Sequence, residues 1–138
     1  VLFNRFVHPD IDLETLEMKP RLELSRAHDA RLPLNWIGLL RDQVHCSLAA
    51  TTGVHGAEEV LKLLLVGADV VMTASSLYQN GISHLSTMLT ETRQWLEAHE
   101  YESVEQMKGS LSRDHCEEPG AYTRAGYMRT LHSFQPGE

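Results

Sequence analysis

The sequence predicts an α/β fold in which parallel strands alternate with helices. Two apolar segments, residues 44–51 and 69–73, have the composition of strands, and each leads through a turn of small residues into a helical segment. The helix over 57–66 is predicted because its apolar residues recur at helical spacing, and Gly67 follows where a helix-ending glycine is common. Strand–helix alternation of this kind is typical of a parallel sheet.

Further elements are predicted on both sides of this pair. Leu16 to Leu24 alternates apolar and polar residues around Pro20, which cannot donate a hydrogen bond within a central strand, so we predict an edge hairpin or excursion there. The remaining predictions are a strand over 1–7, an acidic turn over 10–14, a helix beginning near Pro33, a helix over 82–99 and a short helix over 103–109.

Three βα units are too few to close a barrel. A (β/α)₈ barrel typically needs about 250 residues, whereas this chain has 138. We therefore interpret residues 1–112 as the last three βα units of such a barrel, with a terminal helix. Residues 113–138 show little periodicity and are predicted to form a loosely ordered tail. Because the chain begins inside a predicted strand, we expect it to be the C-terminal part, or a fragment, of a longer protein.

Composition excludes several classes of function. The formal net charge of −7 argues against nucleic acid and anionic membranes as partners, because both require clustered Lys and Arg. No apolar run approaches the roughly 20 residues of a membrane span. Cys46 and Cys116 lie far apart in the sequence, which favours a reduced, cytoplasmic setting over a disulfide framework. The spacing of His45, His55, His115 and Cys116 does not suit a metal ion, so no metal site is predicted.

The two turns of small residues are the candidate binding site. Thr52-Gly53 and Ala74-Ser75 follow adjacent predicted strands, so their backbone N–H groups and hydroxyls are expected at one rim of the sheet. Barrels bind phosphate groups in this way. The alternative is that small residues simply end two buried strands, and the pattern alone leaves both interpretations open.

Several motifs together resemble one known family. The chain resembles dihydroorotate dehydrogenase-like flavoproteins over about residues 1–112, through the order and spacing of these segments. They are Phe3-Asn4-Arg5-Phe6, Ala50-Thr51-Thr52-Gly53-Val54, Gly67-Ala68-Asp69-Val70-Val71-Met72, Ala74-Ser75-Ser76-Leu77 and Tyr101-Glu102-Ser103-Val104-Glu105-Gln106-Met107-Lys108-Gly109.

The resemblance implies an FMN-binding (β/α)₈ barrel that oxidises dihydropyrimidines. In that family the turn after the seventh strand is usually Gly-Thr-Gly-Gly, and here it is Ala50-Thr51-Thr52-Gly53. The next turn usually carries Gly-Thr, and here it is Ala74-Ser75. These positions hold the flavin phosphate in the family, and Thr52 and Ser75 can supply hydroxyl donors. Asn4, at the end of the sixth strand, is implied to hydrogen-bond the pyrimidine ring.

The resemblance also leaves a gap in the chemistry. The family's catalytic base, a Cys or Ser in the first half of the barrel, is not in this chain, and neither is its flavin-contacting Lys. No catalytic residue is therefore predicted here, and whether the chain itself is an enzyme stays open. The alternatives are a non-catalytic partial barrel and a different phosphate-binding barrel with a sugar-phosphate ligand.

An incomplete barrel would expose the face that normally lines its interior. The candidates for that face are Val1, Phe3, Cys46, Leu48, Val70 and Met72. Exposing several such side chains is unfavourable by about 1.5–3 kcal/mol each relative to burial. We therefore expect a homo-oligomer, pairing of this chain with the missing half of the barrel, or collapse of the tail over 113–138 onto this face.

Overall fold

Helices pack against one face of a short pair of parallel strands in the computed structural model, which describes residues 1, 3, 9–20, 22–122 and 124–133. The strands are β1 (Pro9–Asp12), β2 (Glu17–Pro20), β3 (Ala49–Ala50) and β4 (Val70–Val71). The helices are α1 (Arg31–Leu40), α2 (Ala57–Leu65), α3 (Ser75–Asn80), α4 (His84–Ala98), α5 (Val104–Met107) and α6 (Arg124–Ser133), with 3-10 turns at Ala27–Ala30 and Pro119–Tyr122.

The predicted α/β class is confirmed by the pairing of β3 with β4. The two strands are parallel, with Ala49 opposite Val70, and α2 connects them. The N–H of Asp69 donates to the carbonyl of Leu48 at 2.8 Å, and that of Met72 donates to Ala50 at 2.9 Å. Both strands are shorter than predicted. Within the described residues, β3 and β4 pair only with each other, so neither is held by hydrogen bonds along its second edge. Most of the strand predicted over 1–7 lies outside the described residues.

The core lies between this strand pair and the helices. Val71 of β4 packs against the largest buried cluster, whose members come from α1, α2, α4, β3 and the adjoining loops: Ile37, Leu48, Ala50, Val54, Leu63, Val66, Ala68 and Met88. A second cluster joins Leu61 and Leu64 of α2 to Met107 of α5. Helix α2 was predicted from its apolar spacing and is confirmed over Ala57–Leu65. It contributes to both clusters, so it is the central helix of the fold.

The other face of the strand pair is open. Val70 and Met72, two of the side chains predicted to face a barrel interior, are 50% and 37% exposed. Leu48 was assigned to the same face, and this was wrong, since it is buried in the core. The side chains of a strand alternate between faces, so a register error of one residue reverses the assignment. No closed barrel forms within the described part of the chain, which contains two separate two-stranded sheets.

The predicted edge hairpin is present but begins earlier than expected. Strands β1 and β2 are antiparallel, with Ile11 opposite Met18. The first three residues of the acidic turn predicted over 10–14 belong to β1, so the turn itself comes later in the chain. The carboxylate of Asp12 accepts N–H donations from Glu14 and Thr15, at 2.9 and 3.2 Å, and pairs with Lys19. These bonds fix the turn at the tip of the hairpin.

Two helical predictions need correction. The helix predicted over 82–99 begins at His84, and a separate helix, α3, precedes it. Gly81, at φ +81°, lies between the two. The predicted loosely ordered tail contains a 3-10 turn and α6. Tyr122 anchors this segment by packing on Gly38 and donating a hydrogen bond to the carbonyl of Leu111.

No helix among the described residues combines the length and apolar character needed to cross a bilayer.

Asp69 fixes the start of β4. Its carboxylate accepts the N–H of Leu48 at 2.8 Å and the ammonium of Lys108 at 3.0 Å. The Leu48 hydrogen bond, followed by the one from Lys108, holds the pKa of this carboxyl below its ordinary value of 3.8. The stabilisation is therefore complete above the ordinary pKa, and is lost as the pH falls through the lowered one.

The Asp69→Asn variant is expected to be less stable than wild type by about 1–2 kcal/mol at neutral pH, because a charged hydrogen bond is lost. Urea unfolding at neutral pH, and again in acid below the lowered pKa that Asp69 has in the folded protein, measures the difference. The two proteins should converge in acid, where the wild-type carboxylate also becomes neutral. Asp114→Asn is the control, since Asp114 forms an exposed pair with Arg113 and should contribute much less. A difference that persists undiminished in acid would contradict the charge-based explanation.

Candidate functional site

The structure brings the two predicted turns together at the carboxyl ends of β3 and β4. The first turn, Thr52-Gly53, is followed by Val54, and the second turn, Ala74-Ser75, is preceded by Thr73. The hydroxyl of Thr73 donates to the carbonyl of Val54 at 2.8 Å, and this hydrogen bond joins the two turns. The hydroxyls of Thr73 and Ser76 are also 2.7 Å apart. The start of α4 is held to the first turn through His84, whose Nε2 donates to the carbonyl of His55 at 2.8 Å. The two turns thus form one connected rim.

The first turn has an unusual backbone. Thr52 and Gly53 both adopt left-handed conformations, with φ of +76° and +77°. Such a φ suits glycine but strains a β-branched residue. The Thr52 hydroxyl donates to the carbonyl of Phe3 at 3.2 Å, which offsets part of this strain.

Replacing Thr52 with glycine is expected to relieve this strain. We expect Thr52→Gly to raise the free energy of unfolding by about 1 kcal/mol, because the left-handed conformation is strained for Thr and not for Gly. Thermal melting of the variant beside wild type measures this effect. Thr51→Gly is the control, since Thr51 has no positive φ and the change should destabilise. A loss of stability in Thr52→Gly would show that the hydrogen bond to Phe3 outweighs the strain.

The second turn presents a hydroxyl held by a distant loop. Ser75 Oγ accepts hydrogen bonds from the hydroxyl of Ser25, at 2.9 Å, and from its N–H, at 3.3 Å. Its own O–H proton is therefore the one that can be donated to a ligand. Ala74 precedes α3 and is exposed. The sequence analysis missed Ser25, since a contact across fifty residues between two serines leaves no periodic pattern.

The start of α2, adjacent to the first turn, is already occupied by a carboxylate. Glu59 Oε2 accepts the N–H of Gly56 at 2.9 Å and that of His55 at 3.4 Å. The capping role of Glu59 was not predicted from the sequence. The signal was present, because a Glu three residues after the N-cap is the spacing of a capping box. These two N–H groups are therefore not available to an anion unless Glu59 moves.

The remaining polar groups define what the rim can bind. The buried Nε2 of His55 has no hydrogen-bond partner within the described residues. No group of His, Cys, Asp or Glu in the described part of the chain is arranged to hold a metal ion. The rim offers hydroxyls and backbone N–H groups, which are donors suited to an anion. Asn4, the predicted substrate contact, lies outside the described residues.

Comparison with protein-family models and with curated proteins finds no match to this chain.

Proposed function

We propose that this chain is the C-terminal, FMN-phosphate-binding part of a flavin-dependent oxidoreductase that resembles dihydroorotate and dihydropyrimidine dehydrogenases. The observation that carries the proposal is the connected rim at the ends of two adjacent parallel strands, joined by the bond from Thr73 to Val54. The carboxyl ends of parallel strands are where α/β folds bind phosphate-containing ligands.

The groups at the rim fit the phosphate of FMN. Thr52, Gly53, Ala74 and Ser75 would hold it, through backbone N–H groups and the hydroxyl of Ser75. Glu59 would repel a phosphate placed at the start of α2, so the contact is expected at the two turns and not at that helix.

The open face of the strand pair supports a barrel origin. Val70 and Met72 are apolar and exposed on the side away from α2. In a complete (β/α)₈ barrel, side chains on this face of the strands would be covered by the other strands. The proposed architecture is therefore the last three βα units of such a barrel.

The roles of this chain's residues are binding and orientation. Bound flavin supplies the redox chemistry, and the protein positions it against the substrate. Asn4 is proposed to hydrogen-bond the dihydropyrimidine ring, and the catalytic base would come from the part of the barrel that this chain lacks. Within these 138 residues we assign no catalytic group.

The test compares two flavins that differ only in the phosphate. Apoprotein of the complete barrel is titrated with FMN and with riboflavin, using flavin fluorescence. We expect FMN to bind more tightly, and Ser75→Ala to weaken FMN about tenfold while leaving riboflavin unchanged, since one hydrogen bond to a charged group is lost. The exposed Ser86→Ala is the control.

Two results would contradict the proposal. Equal affinities for FMN and riboflavin would show that no phosphate site exists. A purified protein without a visible flavin absorption band, but with a sugar phosphate bound at the same turns, would favour the other class of phosphate-binding barrel.

A further inference from the structure

The β1–β2 hairpin exposes an unusual amount of apolar surface. Its side chains Ile11, Leu13, Leu16 and Met18 are all exposed, and Leu13 and Leu16 at the tip are each 80% exposed. The strands pack mainly on each other. A two-stranded hairpin on its own is marginally stable in water. These side chains therefore need a partner surface.

The hairpin is also strongly acidic. Residues 9–20 carry Asp10, Asp12, Glu14 and Glu17 against the single Lys19. Two copies of the hairpin would repel each other, so a hairpin-to-hairpin contact is unfavourable. Pro9 and Pro20 face each other at its open end and lack N–H groups, which disfavours the addition of another strand there. The partner surface should be apolar, basic and contacted through side chains.

Helix α6 has these properties. Tyr127, Met128 and Leu131 are exposed, and their spacing of three and four residues places them on one helical face. Residues 119–133 contain Arg124, Arg129 and His132 and no acidic residue, within a chain whose net charge is −7. The helix packs mainly on the 3-10 turn at Pro119–Tyr122. Arg129 pairs with Glu118, but both side chains are more than half exposed, so this pair is weak.

We propose that the hairpin of one copy of this chain docks on α6 of a second copy. In a dimer with two-fold symmetry the contact would occur twice, because the hairpin of each copy would pack on α6 of the other. The apolar tip residues then supply burial, and the opposite charges supply orientation and specificity. The inference does not depend on flavin binding.

Light scattering on the purified chain at micromolar concentration tests the dimer, whose mass should be about twice 15.6 kDa. Leu16→Asn is the central variant. Leu16 has φ +54°, a conformation that Asn adopts readily, so the hairpin should keep its fold while losing an apolar contact. We expect the dimer to dissociate about tenfold more readily. The control is Ile82→Asn, a side chain that is 81% exposed in the turn before α4 and should not matter.

Charge reversal identifies the contacting surfaces. Glu17→Lys and Arg129→Glu should each weaken the dimer, and the double variant should recover part of the loss, because the opposite charges are restored. A hairpin-to-hairpin dimer would instead be strengthened by Glu17→Lys. A monomeric wild type, a dimer insensitive to Leu16→Asn, or equal weakening by Ile82→Asn would overturn the proposal.

Discussion

Replacing Gly53 with alanine is expected to destabilise the fold by about 3–5 kcal/mol, through left-handed strain and overpacking together. At φ +77° an added Cβ would lie 2.9 Å from Cα of Ala30 and closer still to its backbone nitrogen. The obstacle is the backbone where the Ala27–Ala30 turn leads into α1, so no side-chain rotation can relieve it. The variant should lose a large part of the roughly 5–15 kcal/mol that stabilises a typical domain.

Gly81→Ala is the matched control for this prediction. Gly81 has a similar φ of +81°, but nothing lies within 4 Å of its added Cβ. With ψ of +168° it lies in a region that is nearly restricted to glycine, so the variant should show only backbone strain, about 1–3 kcal/mol. Chemical unfolding of both variants separates the two contributions. Equal losses would show that the first turn does not pack closely on the start of α1.

The close approach of Gly53 to the backbone of Ala30 complicates the use of Gly53→Asp as a test of phosphate binding. A carboxylate at Gly53 is expected to repel a bound phosphate, so Gly53→Asp should abolish phosphate binding in the complete protein. Any side chain at Gly53 also displaces Ala30, so loss of flavin from that variant would have two causes. Ser75→Ala is the cleaner test, since it removes a hydroxyl without adding atoms.

The second large effect is expected at Leu63, at the centre of the core. Leu63 is fully buried on α2, between the strand pair and the neighbouring helices. Leu63→Ala should lower the free energy of unfolding by about 2–5 kcal/mol, because it removes buried methyl groups and leaves a cavity. Urea unfolding gives the value.

Leu89→Ala provides the comparison on α4, where the side chain is 63% exposed. Its effect should stay within about 0.5 kcal/mol of wild type. If Leu63→Ala were as mild as Leu89→Ala, the buried cluster around α2 would not be the main source of stability.

The bounds of helix α2 could be predicted closely because the sequence features that indicate them lie within the helix or next to it. Apolar residues at helical spacing and a following glycine describe both its buried face and its end. Pro33 in the first turn of α1 was predicted on similar grounds, since a proline is tolerated there. The parallel pairing of β3 and β4 followed from the alternation of strands and helices.

The features that sequence reasoning missed depend on contacts between distant residues. The face of Leu48 depends on strand register, which two-residue strands leave weakly specified in the sequence. The bond from Ser25 to Ser75 connects two loops with no shared pattern. Thr52 and Gly53 were selected as a turn of small residues after a predicted strand, and the left-handed backbone they share became apparent only in the folded turn.

A crystal structure of the complete protein grown with FMN would locate the flavin phosphate relative to the two turns after β3 and β4. We expect phosphate oxygens within hydrogen-bonding distance of backbone N–H groups at Gly53 and Ser75 and of the Ser75 hydroxyl, with Glu59 still capping α2. A flavin phosphate bound elsewhere in the protein, with Ser75 contacting only Ser25, would contradict the proposal.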